Sequence, residues 1–110
     1  MVAAARHELL CTFDDIAAAV SHVLKMNGRF YLVHRPQRLP QIICTLCRYH
    51  LEPKRIRLVH PFADREPNLV LIEAKKGAKP AVRMEAPLVV YKEKGVYTDE
   101  VLQMYGLSGQ

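Results

Sequence analysis

The chain has 110 residues, of which 50% are hydrophobic and 25% charged, with a formal net charge of +5. That is enough for one domain around a single core, and no apolar run approaches the roughly 20 residues of a membrane-spanning helix. The start, "MVAAARHELLCTF", lacks the layout of a signal peptide, and three cysteines make no disulfide framework, so the reducing cytoplasm is the expected compartment.

The first predicted element is a helix within "CTFDDIAAAVSHVLKMNG", residues 11–28, with both ends marked. Thr12 with Asp15 three residues on has the pattern of a capping box, and Asp14 and Asp15 complement the positive end of the helix dipole. Phe13, Ile16, Ala17, Val20, Val23 and Leu24 recur at helical spacing on one apolar face. Asn27-Gly28 marks the stop, with the glycine expected in the left-handed conformation. "RFYLVH", residues 29–34, is apolar and aromatic without alternation, which predicts a strand covered on both faces as in a parallel sheet. A second helix is expected from Gln37 or Arg38 to Tyr49. Leu39, Ile42, Ile43, Leu46, Cys47 and His50 mark its buried side, and Pro40 is tolerable only near the first turn.

Two strands follow, "KRIRLVH" (54–60) and "NLVLIEAKK" (68–76), joined by "PFADREP". After Gly77 the pattern weakens to one short apolar run and one short helix capped by Thr98, with Val101, Leu102 and Tyr105 on one side. Helix, buried strand, helix, two strands and a tail predict an α/β fold whose closing pair forms an antiparallel edge. A parallel strand needs a parallel neighbour, yet the chain opens on a helix. The strand before that helix is therefore expected to be absent, and residues 1–110 to form the later half of a domain.

Several chemistries find no support. Cys44 and Cys47 in "CTLC" have the spacing of a metal or redox half-site, but they fall inside a helix with no second pair, so buried packing is expected of them. His22 and His50 read as partly buried helix residues, and no two histidines stand at metal-binding spacing. There is no glycine-rich phosphate loop and no nucleophile elbow. What remains is charge and position. Basic residues cluster at Arg35, Arg38, Arg48, Lys54, Arg55 and Arg57, then at Lys75, Lys76 and Lys79, which favours polyanions such as RNA. If "KRIRLVH" runs parallel to "RFYLVH", "HRP" (34–36) and "PFADREPN" (61–68) fall at the carboxyl edge of the sheet, the usual binding edge of open α/β folds. "ARHE" (5–8) is expected there too, as the piece leaving a strand in the missing half.

"ARHE" followed by "CTFDDI", then "NGRF", "HRPQRL", "LEPKRIRLVHP", "REPNLVLIEAKKG" and the ending "APLVVYKEKGVYTDE" together carry a family resemblance. Over residues 5–104 the chain resembles the second half of a bacterial tRNA adenine-N6 methyltransferase family, whose members modify an adenine in the anticodon loop of a valine tRNA. The resemblance implies a Rossmann-like fold using S-adenosylmethionine. In it these segments are the last helical crossovers, the fifth strand, and the sixth and seventh strands, the seventh antiparallel. The family's glycine-rich cofactor loop, acidic ribose-binding residue and Asn-Pro-Pro-Tyr motif all precede "ARHE" and are absent from this sequence. No residue here is thus expected to be catalytic or cofactor-binding, and the isolated chain is expected to be inactive.

The resemblance implies tRNA as partner, with Arg6, His7, His34, Arg35, Arg38, Phe62 and Arg65 as candidate binding residues. Arg35 or Arg38 would hold a phosphate, while Phe62 and Arg65 would offer stacking and charge to an unpaired loop. With its first neighbour missing, the strand Arg29–His34 is expected to present an open edge that pairs with a second copy or another chain. Two other readings stand beside this one: a small basic RNA-binding module, and an interaction domain that completes a methyltransferase by pairing with a separate N-terminal polypeptide.

Overall fold

The structure, a computed structural model, describes residues 2–4 and 12–106. Strand β1 (Val2–Ala4) comes first, then helix α1 (Phe13–Val23), strand β2 (Arg29–His34), a 3-10 turn (Pro36–Arg38) and helix α2 (Leu39–Arg48). Two long strands follow, β3 (Leu51–Phe62) and β4 (Leu69–Lys76), and then β5 (Arg83–Met84), β6 (Leu88–Glu93), β7 (Val96–Tyr97) and helix α3 (Asp99–Met104). The sheet order is β1-β2-β4-β3-β6-β7, with β5 pairing beside β3. β4 is antiparallel to both β2 and β3, so those two run parallel with β4 between them. This is the α/β arrangement anticipated, including the antiparallel final strand of the pair.

Two expectations about edges are corrected. A strand does precede α1: β1 pairs parallel with β2 over Tyr31, Leu32 and Val33. β4 covers the other side of β2 from Arg29 to His34, so over residues 31–33 the edge expected to be open has a neighbour. Nor do β3 and β4 close the sheet, because β6 adds to β3 in parallel and β7 pairs with β6. The sequence hid β1 because it is only three residues long, and β6 and β7 because they are short and only partly buried or exposed, with little apolar periodicity to read.

α1 starts where its cap predicts. The Thr12 N–H donates to Asp15 Oδ2 at 3.1 Å and the Asp15 N–H to Thr12 Oγ1 at 3.2 Å, a reciprocal cap worth about 1 kcal/mol. Its other end is closed from the sheet, where Lys76 Nζ donates to the carbonyls of Ser21 and, at 2.9 Å, Leu24. A cation on the last carbonyls also complements the dipole. Asn27, with φ +69°, takes the left-handed conformation expected of its neighbour. Gly28 serves close approach instead, since a Cβ there would lie 2.8 Å from the Lys25 carbonyl.

α1 and α2 pack together on one face of the sheet. Ala17, Phe30, Leu32, Ile42, Leu46, Leu51, Ile56, Val70, Ile72 and Ala74 form that core. Asp14 joins the two helices, accepting from Arg48 at 2.5 Å and from the Tyr49 hydroxyl at 2.7 Å. Val23, expected on the buried face, is 75% exposed. β2 is not covered on both faces either, because Phe30 and Leu32 are buried while Arg29 and Tyr31 are exposed. A second, smaller core of Val59, Leu88 and Val101, with Leu71 and Val90 against it, seats α3. Thr98 caps α3 and ties it to β6 by donating to the Val89 carbonyl at 2.6 Å. Among the described residues no helix is long and apolar enough to cross a membrane.

Candidate functional site

Because β2 and β3 run parallel, His34 and Phe62 end their strands at the same edge of the sheet. The condition set on the two loops is met, and β1, parallel to β2, also ends there at Ala4. Arg6 and His7 lie outside the described residues. The His34 ring meets Phe13 edge-on with centroids 6.2 Å apart, and its Nδ1 accepts the Arg35 N–H at 2.8 Å. An accepting Nδ1 assigns the proton of a neutral ring to Nε2. Arg35 and Arg38 are exposed where the chain turns from β2 into α2.

Phe62 and Arg65 occupy a different place along that edge. The loop after β3 is held by the Arg65 N–H on the Phe62 carbonyl (3.1 Å) and the Asn68 N–H on the Val59 carbonyl (2.9 Å). His60 Nδ1 lies 2.7 Å from the Arg65 carbonyl, which requires the proton on Nδ1. Phe62, Ala63, Asp64 and Arg65 form an open cleft with Lys92 and Lys94 from β6 and the turn after it. Among the described residues the edge therefore carries two groups, His34–Arg35–Arg38 and Phe62–Arg65–Lys92–Lys94, and the cleft is lined by the second alone. Lys92 and Lys94 were missed. Their signal is "VYKEKGVY", two tyrosines placed symmetrically about a turn in which Gly95 takes φ +80°, the mark of a short hairpin.

Much of the basic surplus is spent on structure. Arg48 pairs with Asp14 and Arg55 with Glu73 and Glu85, while Arg57 binds Glu100. Lys54 donates to the Lys79 carbonyl at 2.9 Å. Glu73, only 8% exposed, sits on the face opposite α1 and α2. There it takes the Tyr31 hydroxyl at 3.1 Å, Arg55 at 3.1 Å and Arg29 at 3.5 Å. The Arg55 hydrogen bond, with its charge and those of Arg83 and Arg57, holds the Glu85 carboxyl below the usual carboxylate range. Arg35, Arg38, Arg65 and Lys94 belong to the cations that make no ion pair among the described residues.

Cys44 and Cys47 are exposed, not buried as expected, because the seam of α2 runs through Ile42 and Leu46. Partial burial, then Glu52 and Cys44, pushes the Cys47 thiol up, which disfavours the reactive thiolate. His22 and His50 are likewise exposed, and His50 adopts φ +63° after the helix rather than lying on its buried side. No three His, Cys, Asp or Glu side chains among the described residues converge on a metal position.

No family model matches the chain, and no curated protein does. Among solved structures it is similar to a predicted O-methyltransferase, protein Atu636 from Agrobacterium tumefaciens. The TM-score is 0.81 at 23% identity, over 99% of this chain and 51% of that one. The fold is thus methyltransferase-like α/β, and the chain spans about half the length of the protein it matches.

Proposed function

We propose that the chain forms the second half of an S-adenosylmethionine-dependent methyltransferase whose substrate is the anticodon loop of a valine tRNA, with adenine N6 as acceptor. The observation that carries this reading is the strand order β1-β2-β4-β3 with β4 antiparallel. With it the ends of β1, β2 and β3 share one edge of the sheet, which is where the reading needs the quoted motifs to lie. The Agrobacterium likeness supports the fold of this reading; the motifs support its substrate.

The described residues do not fit S-adenosylmethionine by themselves. A cofactor cradle at this edge needs consecutive small residues close to the ligand, and the described glycines do not supply one. Gly28 and Gly77 lie at the opposite edge, while Gly95 in its hairpin and Gly106 after α3 are isolated residues with open space beside them. The cofactor cradle and the adenine clamp belong, on this proposal, to a polypeptide stretch outside these residues. This half contributes placement: Arg35 and Arg38 hold phosphates, and His34, with Phe13 edge-on to its ring, stands beside them at the end of β2.

Equilibrium dialysis of the purified chain tests this. It should retain tRNA with a salt-dependent affinity and retain no S-adenosylmethionine. Binding of the cofactor by the chain alone refutes the division of labour. Failure to bind tRNA at low salt refutes the RNA substrate.

A further inference from the structure

The rings of Phe62, Tyr91 and Tyr97 are aligned by strand register. Phe62 is the Cα partner of Tyr91 across β3 and β6, and Tyr91 of Tyr97 across β6 and β7. Directly paired residues project from the same face of a sheet. Phe62 and Tyr91 have centroids 5.5 Å apart, and Tyr91 and Tyr97 stack at 5.2 Å and 13°. Tyr105, just after α3, adds a fourth ring 6.3 Å from Tyr97.

The row is not part of the local buried core. The local core is Val59, Leu88 and Val101, and Val59 and Leu88 stand three residues before Phe62 and Tyr91, hence on the opposite face. Tyr97 is 40% exposed and Tyr105 68% exposed. Cations flank the row: Arg65, Lys92 and Lys94 line the cleft beside Phe62, with Asp64 the acid among them. Lys92 is held by Asp99 at 3.1 Å, whereas Arg65 and Lys94 make no ion pair among the described residues.

We propose that this aromatic row is a stacking platform for the unpaired bases of a single-stranded RNA segment, with Arg65 and Lys94 on its phosphates. Every base has a face that covers an exposed ring, so such a platform is tolerant of sequence, while a duplex hides those faces. The inference deepens the RNA-substrate reading above and rests on it. The row lies at the same sheet edge as Arg35, and four strand spacings of about 4.8 Å carry β2 to β7, roughly 19 Å. An RNA strand lying along that edge reaches from Arg35 to the rings.

The test is binding of a fluorescently labelled short oligoadenylate RNA to the whole chain, followed by anisotropy. Replacing both rings, Tyr97→Leu with Tyr105→Leu, should weaken binding about tenfold or more. Tyr97→Phe with Tyr105→Phe should leave it within about twofold, because the stacking surface is kept. The wild-type tyrosine emission should be quenched on binding, and duplex RNA of equal length should compete poorly. If the double leucine variant does not fold, Tyr105→Leu alone, at the more exposed ring, decides.

Unchanged affinity in a folded leucine variant overturns the platform, as does equal competition by duplex RNA or no oligoadenylate binding by the wild type at low salt. Ring-dependent RNA binding without methyl transfer in the completed enzyme refutes the methyltransferase reading and leaves the platform standing. Transfer that survives ring loss, with RNA affinity unchanged, does the reverse.

Discussion

Leu46→Ala should separate the one-sided core from the rest of the molecule. Leu46 is fully buried, and with Ile42 it is one of two buried residues by which α2 holds the sheet. Truncation removes about three methylene equivalents, or roughly 2.4 kcal/mol of transfer free energy. The cavity adds to this, because Leu32, Leu51 and Ala17 belong to the same packed cluster, so the expected loss is about 3–4 kcal/mol. Domains of this size have about 5–15 kcal/mol in total. The chain has no tryptophan, so urea unfolding is best followed by far-ultraviolet circular dichroism. With an m-value of about 1.5 kcal/mol/M the midpoint should fall by roughly 2 M. Val23→Ala is the control, since that residue is mostly exposed, and its midpoint should move by less than about 0.3 M. Equal shifts for the two variants would refute the assignment of the buried face.

Gly28→Ala forces a Cβ to within 2.8 Å of the Lys25 carbonyl and should cost about 1–3 kcal/mol, read as a lowered melting temperature. The hydrogen bond to Asp14, then burial, raises the Tyr49 phenol above its ordinary value, with Arg48 acting against them. A raised folded-state value gives stability that is full below the ordinary tyrosine range and is lost as pH rises through the folded value. Urea midpoints of the wild type should therefore fall in strong alkali, and those of Tyr49→Phe should fall less; parallel profiles would contradict the Asp14–Tyr49 link. Arg35→Ala should weaken tRNA binding and lower its salt slope by about one phosphate contact, and an unchanged slope would make Arg35 merely solvated.

Local signals were legible where one element's chemistry decides the outcome. The Thr12–Asp15 cap formed as spaced, and "RFYLVH" and "NLVLIEAKK" became neighbouring strands. Signals failed where tertiary contacts decide. Val23 lies at the margin of the apolar stripe of α1, and the seam with α2 and the sheet is too narrow to include it. Gly28 was credited with a left-handed turn that Asn27 makes, because a sequence does not distinguish a glycine needed for φ from one needed for space. The candidate site was half legible: the ends of β2 and β3 follow from topology. Lys92, Lys94 and the tyrosine row depend on pairings between β3, β6 and β7 that short, half-exposed strands do not announce.

The most direct test of the methyltransferase reading is reconstitution. The chain is mixed with a polypeptide that supplies the glycine-rich loop and the Asn-Pro-Pro-Tyr motif, and labelled methyl transfer from S-adenosylmethionine to valine tRNA is counted. Transfer to adenine N6 should require both polypeptides and be absent from either alone. Transfer by this chain alone, or none from a mixture in which the two polypeptides co-elute and tRNA is bound, would contradict it.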